Sequence, residues 1–105
     1  GFDFASGTFN AYSIKNKKIE IFSITEPMTK TSSKLFNESS LNCFFLDFNS
    51  INKIETLEKY INSKVNYRGI GSTYNPKMIE NEKLKDAYDG IIFIKETKAS
   101  SLLLR

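Results

Sequence analysis

Ser6 and Thr8 flank Gly7, and Asn10 follows two residues later. Small hydroxyl and amide residues around a glycine, between apolar segments, suit two roles. They form a turn or β-bulge, or they make a site wall where a ligand or neighbouring chain can approach the backbone. Ser6, Thr8 and Asn10 are therefore the candidate binding residues. Ser6 as a nucleophile would need a neighbouring base, and no GxSxG pattern surrounds it. A second glycine-rich stretch, Gly69-Ile70-Gly71-Ser72-Thr73, resembles a phosphate loop only superficially. It lacks the Gly-Lys-Ser/Thr ending and the GxGxxG spacing, and reads as a loop before a helix. Asp47, Asp86 and Asp89 are the acids nearest apolar segments. Sequence separation does not make an acid–base pair of them, and Asp47 reads as a cap or a paired group. Tyr67-Arg68 sets a cation beside an aromatic ring, which can grip an anion or form a surface pair.

Histidine is absent from the chain. It therefore supplies no Ser-His-Asp or Cys-His constellation, no HExxH and no histidine metal site. Cys43 is the single cysteine, which excludes an internal disulfide. Within Cys43-Phe44-Phe45-Leu46 it reads as a small buried core residue. No catalytic residue, metal site or cofactor is expected. The net charge is +3. The lysines are scattered and mixed with Asp and Glu, whereas nucleic-acid surfaces gather basic residues on one face, so no nucleic-acid partner is expected. No apolar run approaches the roughly 18–20 residues that span a bilayer, so no membrane partner is expected. About a third of the chain is Ile, Lys or Asn, a skew that fits an AT-rich genome and weakens a functional reading of the charge. A lone cysteine leaves the compartment open, with the cytoplasm preferred, and the oligomeric state is open as well.

The elements that must position these residues are read from period and punctuation. Phe2-Asp3-Phe4 alternates as a half-buried strand does, and Ala5-Ser6-Gly7 interrupts it. Phe9 to Lys15 and Lys18 to Ile24 read as two strands of a β-hairpin, with Asn16-Lys17 as its turn. Thr29 to Ser33 reads as a loop, with Ser32 capping a short helix that carries Leu35 and Phe36. Cys43 to Phe48 is apolar except for Asp47, the pattern of a central strand covered on both faces. Asn52 to Ser63 predicts a helix, with Asn52 as N-cap, Glu55 three residues on, and Ile54, Leu57, Tyr60 and Ile61 on one face. Asn75-Pro76 predicts the start of another helix carrying Met78, Ile79, Leu84 and Ala87. Gly90 leads into a final strand, Ile91 to Ile94. Lys98 to Arg105 reads as a tail. The order predicts an α/β chain with a mixed sheet of about four to five strands. At 105 residues it makes one domain or part of a larger one. The chain opens on Gly1 and reads at once as strand interior, as expected of a sequence that begins inside something larger.

Three stretches, in order, resemble a known family. Gly1 to Ala11 (GFDFASGTFNA) is similar to a "GF-F-x-x-G-x-F-x-A" segment late in erythromycin-esterase-like hydrolases. Phe44-Phe45-Leu46-Asp47-Phe48 resembles the "F-L-D-L" strand that comes next there. Tyr88 to Thr97 (YDGIIFIKET) resembles the closing "FDA-I-I" strand. The resemblance implies a bacterial, metal-independent hydrolase of carboxylic esters or lactones, of the kind tied to antibiotic resistance. The family's chemistry depends on histidines and a glutamate that lie upstream, so no catalytic residue carries over. It implies a non-catalytic carboxy-terminal portion that completes the parent's sheet and borders its cleft. Its partner would be the upstream part of the same polypeptide. The alternative from the residues alone is an independent small binding or interaction module.

Overall fold

A computed structural model describes residues 1–51, 54–68, 73–75, 77 and 79–101. Its elements in chain order are β1 (Phe2–Ser13), β2 (Lys18–Ile24), α1 (Ser32–Phe36), β3 (Cys43–Asp47), α2 (Glu55–Ile61), β4 (Lys64–Arg68), β5 (Ile79–Lys83), α3 (Leu84–Ala87) and β6 (Gly90–Thr97). Four strands form a mixed sheet in the order β2-β1-β6-β3, and β4 and β5 form a separate antiparallel pair. The α/β class and the mixed sheet predicted from sequence are what the chain adopts.

β1 and β2 are antiparallel, with Gly7 opposite Ile24 and Ser13 opposite Lys18. The hairpin loop is longer than the expected two residues. It spans Ile14 to Lys17, closed by the Lys17 amide donating to the Ser13 carbonyl at 2.7 Å, with Lys17 at φ 55°. β1 also pairs in parallel with β6, Phe2 with Ile92 through Gly7 with Thr97. The first and last strands thus occupy the centre. Among the described residues β3 pairs, antiparallel, with β6 alone and lies at the edge. This corrects the expected central strand: Phe44 and Leu46 pack against the core, but Phe45 and Cys43 are exposed. The reading of Cys43 as a core residue is corrected with it.

Ala5-Ser6-Gly7 does not interrupt β1. Gly7 has φ 123°, and a Cβ built there would lie 2.0 Å from the Thr97 carbonyl oxygen. Only glycine lets β6 approach so closely. Gly7 also resets the side-chain alternation. Strict alternation would put Phe4 and Phe9 on opposite faces, yet their rings are 5.5 Å apart.

One sheet face carries the helices. Phe93 is wholly buried, between Phe36 of α1 at 5.7 Å and Phe44 of β3 at 5.3 Å, and Tyr60 of α2 meets Phe36 at 6.5 Å. Ala5, Phe48, Ile51, Ile61, Leu84 and Ile91 complete this core. On the other face runs an aromatic series, Phe2, Phe4, Phe9 and Phe22, with Tyr74 edge-on to the last two.

Three helix expectations shift. Thr31 rather than Ser32 is the N-cap of α1, and Ser32 is buried inside the helix. α2 begins at Glu55 after Ile54, which is exposed and outside the apolar face, while the expected cap Asn52 lies outside the described residues. Pro76 and Met78 of the helix expected after Asn75 lie outside the described residues, and from Ile79 on the chain is instead β5 and the single turn α3. β5 pairs with β4 through polar side chains: Asn81 donates to Asn66 at 2.8 Å, and the Tyr67 hydroxyl donates to Glu82 at 3.4 Å. With polar groups on most of β5, a period of two leaves no hydrophobic trace to read.

Candidate functional site

Ser6, Thr8 and Asn10 sit on β1 at alternate positions around Gly7. Each meets β6 or the chain that leaves it. The Ser6 hydroxyl donates to the Lys95 carbonyl at 3.4 Å. Thr8 Oγ1 accepts from the Ala99 amide at 2.9 Å. The Asn10 amide donates to the Ser100 carbonyl at 2.9 Å and to its hydroxyl at 3.2 Å. The three side chains clasp residues 95–100 along the sheet, so the start of the expected tail is held in place. Asn10 and its bonds to Ser100 are exposed, where another polar group can join or replace them.

A second polar group lies under the helix face. Asp3, between Phe2 and Phe4, takes the Ser33 hydroxyl at 2.9 Å from each carboxylate oxygen and the Phe4 amide at 2.8 Å. Burial pushes its carboxyl above the ordinary value, opposed by the Ser33 bond, the Phe4 amide and the charge of Arg68. Burial likewise raises the Tyr60 phenol, and Asp3 adds to the rise. Ser33 is fully buried, so its hydroxyl meets no substrate and serves to fix α1 against β1. Asp3 is the residue that sequence reasoning passed over. Its signal was an acid in an otherwise apolar strand start, at a position whose neighbours on that face are core residues.

The remaining candidates separate. Asp47 closes a turn, accepting from the Asn49 amide at 3.0 Å and the Ser50 hydroxyl at 3.1 Å. Asp86 is in α3, and the carbonyl of Asp89 accepts from Phe48 at 3.0 Å. Among the described residues no three His, Cys, Asp or Glu side chains come together as a metal site. Gly69 to Ser72 of the glycine-rich stretch lie outside the described residues. Tyr67 and Arg68 end β4 on opposite sides of the strand. The Tyr67 phenol is pushed up to about 12, by burial first, with Tyr88, Glu82 and Glu80 adding. Arg68 Nη1 is buried and has no hydrogen-bond partner among the described residues.

The fold has solved counterparts. A succinoglycan biosynthesis protein superposes with a TM-score of 0.76 at 22% identity, over 93% of this chain and 23% of its own. A protein from Bacillus cereus superposes with a TM-score of 0.77 at 15% identity, over 93% of this chain and 24% of its own. The chain therefore spans about a quarter of the length of each structure it matches. No curated protein matches the sequence. The family model described as erythromycin esterase matches residues 1–97, and the chain belongs to that family.

Proposed function

We propose that residues 1–105 are the non-catalytic carboxy-terminal portion of an erythromycin-esterase-type hydrolase. They complete the parent's sheet, and the parent hydrolyses a carboxylic ester or lactone with residues from elsewhere in its polypeptide. Ser6, Thr8 and Asn10 border the cleft, where the strap they hold forms part of the wall.

One observation carries this reading. Phe2, Ile92 and Phe45 are direct cross-strand partners on β1, β6 and β3, and all three are exposed, at 58%, 48% and 66%. They form an apolar band across the sheet face opposite the helices. Covering a large apolar side chain is worth about 2 kcal/mol, so this band favours a partner layer. The chain exposes 7662 Å², where a self-contained globule of this mass exposes about 6000 Å². The rest of the parent polypeptide is the natural cover, and the absence of histidine from this chain supports the same reading.

The test uses the isolated chain. Expected are no turnover of macrolide esters or lactones and strong binding of a hydrophobic dye to the open sheet face. Dose-dependent hydrolysis by the purified chain would sink the reading. A dye-silent monomer with a sharp melting transition would favour the independent module.

A further inference from the structure

The geometry points to a binding site for a small oxyanion, a phosphate or carboxylate group, between Arg68 and Lys34. Both line a cavity of about 460 Å³ at the end of β2, a size that suits small ligands. The segment after β2 supplies two hydroxyl side chains to its wall, Thr25 and Thr29, and Tyr74 forms another side. None of these residues belongs to the Ser6–Thr8–Asn10 clasp, and the proposal is independent of the parent's activity.

The reasoning starts from Arg68. A guanidinium carries five donors in a planar fork, which matches the two oxygens of a carboxylate or phosphate. Leaving a buried donor unpaired is costly, more so when it is charged. Arg68 Nη1 is buried without a partner among the described residues. Asp3 feels the charge of Arg68, but its carboxylate is engaged by Ser33 and the Phe4 amide. The ion pair formed among the described residues is elsewhere, Lys59 with Glu55 at 3.4 Å. Arg68 and Lys34 thus bring two cations to the wall of one cavity; Nη1 itself is closed to water, so a ligand there meets the other donors of the fork. Glu26 is the opposing charge on this wall. Against Arg68 and Lys34 it leaves the lining with one net positive charge.

The experiment titrates the full polypeptide carrying residues 1–105 with inorganic phosphate, and in a separate arm with acetate, by calorimetry. Chloride holds the ionic strength constant. Saturable binding near 1 mM is expected for at least one anion, weakened about tenfold or more by Arg68→Gln. Phosphate alone binding identifies a phosphorylated ligand, and acetate alone identifies a carboxylate. Lys34 and Glu26 are exposed, so their variants keep the test alive should Arg68→Gln fail to fold. Lys34→Gln should weaken binding about threefold, and Glu26→Gln should tighten it. No saturable binding of either anion, or affinities unchanged in the Lys34 and Glu26 variants, would overturn the site.

Discussion

Replacing Gly7 by alanine tests the central pairing of the sheet. The new methyl group would lie 2.0 Å from the Thr97 carbonyl oxygen, 2.7 Å from its amide nitrogen and 2.8 Å from its carbonyl carbon. Ordinary carbon–oxygen contact needs about 3.4 Å, and all three atoms are backbone, so no side chain can swing aside. β1 and β6 must part by more than an ångström where they meet. A residue with a Cβ at φ 123° adds conformational strain of about 1–3 kcal/mol. The separation also strains the Ser6–Lys95 and Thr8–Ala99 bonds, each worth about 1 kcal/mol. The sum is a loss of about 3–5 kcal/mol, a large share of the 5–15 kcal/mol that holds most domains together. Denaturant unfolding of the full polypeptide, monitored by circular dichroism, measures it. Ser6→Ala is the control and should cost about 1 kcal/mol or less. A Gly7→Ala loss below about 1 kcal/mol would refute the close approach of β1 to β6.

Other outcomes rest on single residues. Phe93→Ala empties the contact between α1 and β3 and should destabilise by about 3–5 kcal/mol in the same assay. Asp3→Asn should stabilise at neutral pH. The raised Asp3 carboxyl favours folding when protonated, below its unfolded value, and that contribution is lost as pH rises through the folded value. The melting-temperature gain of Asp3→Asn over wild type should therefore shrink on acidification, and a gain independent of pH would contradict the burial argument. Thr8→Val removes the acceptor for Ala99 and should cost about 1 kcal/mol, with faster proteolytic cleavage near residue 99. Cys43 in the isolated chain should react with a thiol reagent without denaturant, because it is exposed at the open edge of the sheet.

The hairpin, the helix around Leu57 and Ile61 and the last strand were legible because their apolar periods are strong and local. Gly7 was legible as an irregularity but not as its cause. The neighbour that demands glycine is Thr97, ninety positions away, and no local pattern names it. β4 and β5 were missed because Asn66–Asn81 and Tyr67–Glu82 hold them through polar pairs, which a hydrophobic period does not register. β3 was misplaced because an apolar run records both faces without saying which one the rest of the chain covers. Ser6, Thr8 and Asn10 stood out as small polar residues around a glycine, but the strap they hold was invisible until the chain's two ends met. The Asp3–Ser33 contact joins elements thirty residues apart and left only an acid among phenylalanines to mark it.

The two innermost strands are made at opposite times. At about 5–20 residues per second, β6 leaves the ribosome on the order of ten seconds after β1. Until then β1 has the β2 hairpin on one side and an open edge on the other, with Phe4 and Phe9 beside it. This is the exposed state that chaperones recognise and that aggregates form from. A stop codon at the start of β6 would leave β1 and β3 with no strand between them. Nonsense mutations near the end of this stretch should therefore be as damaging as those near its start, and a slow stretch of translation just before Gly90 would prolong the time that the edge of β1 stays open.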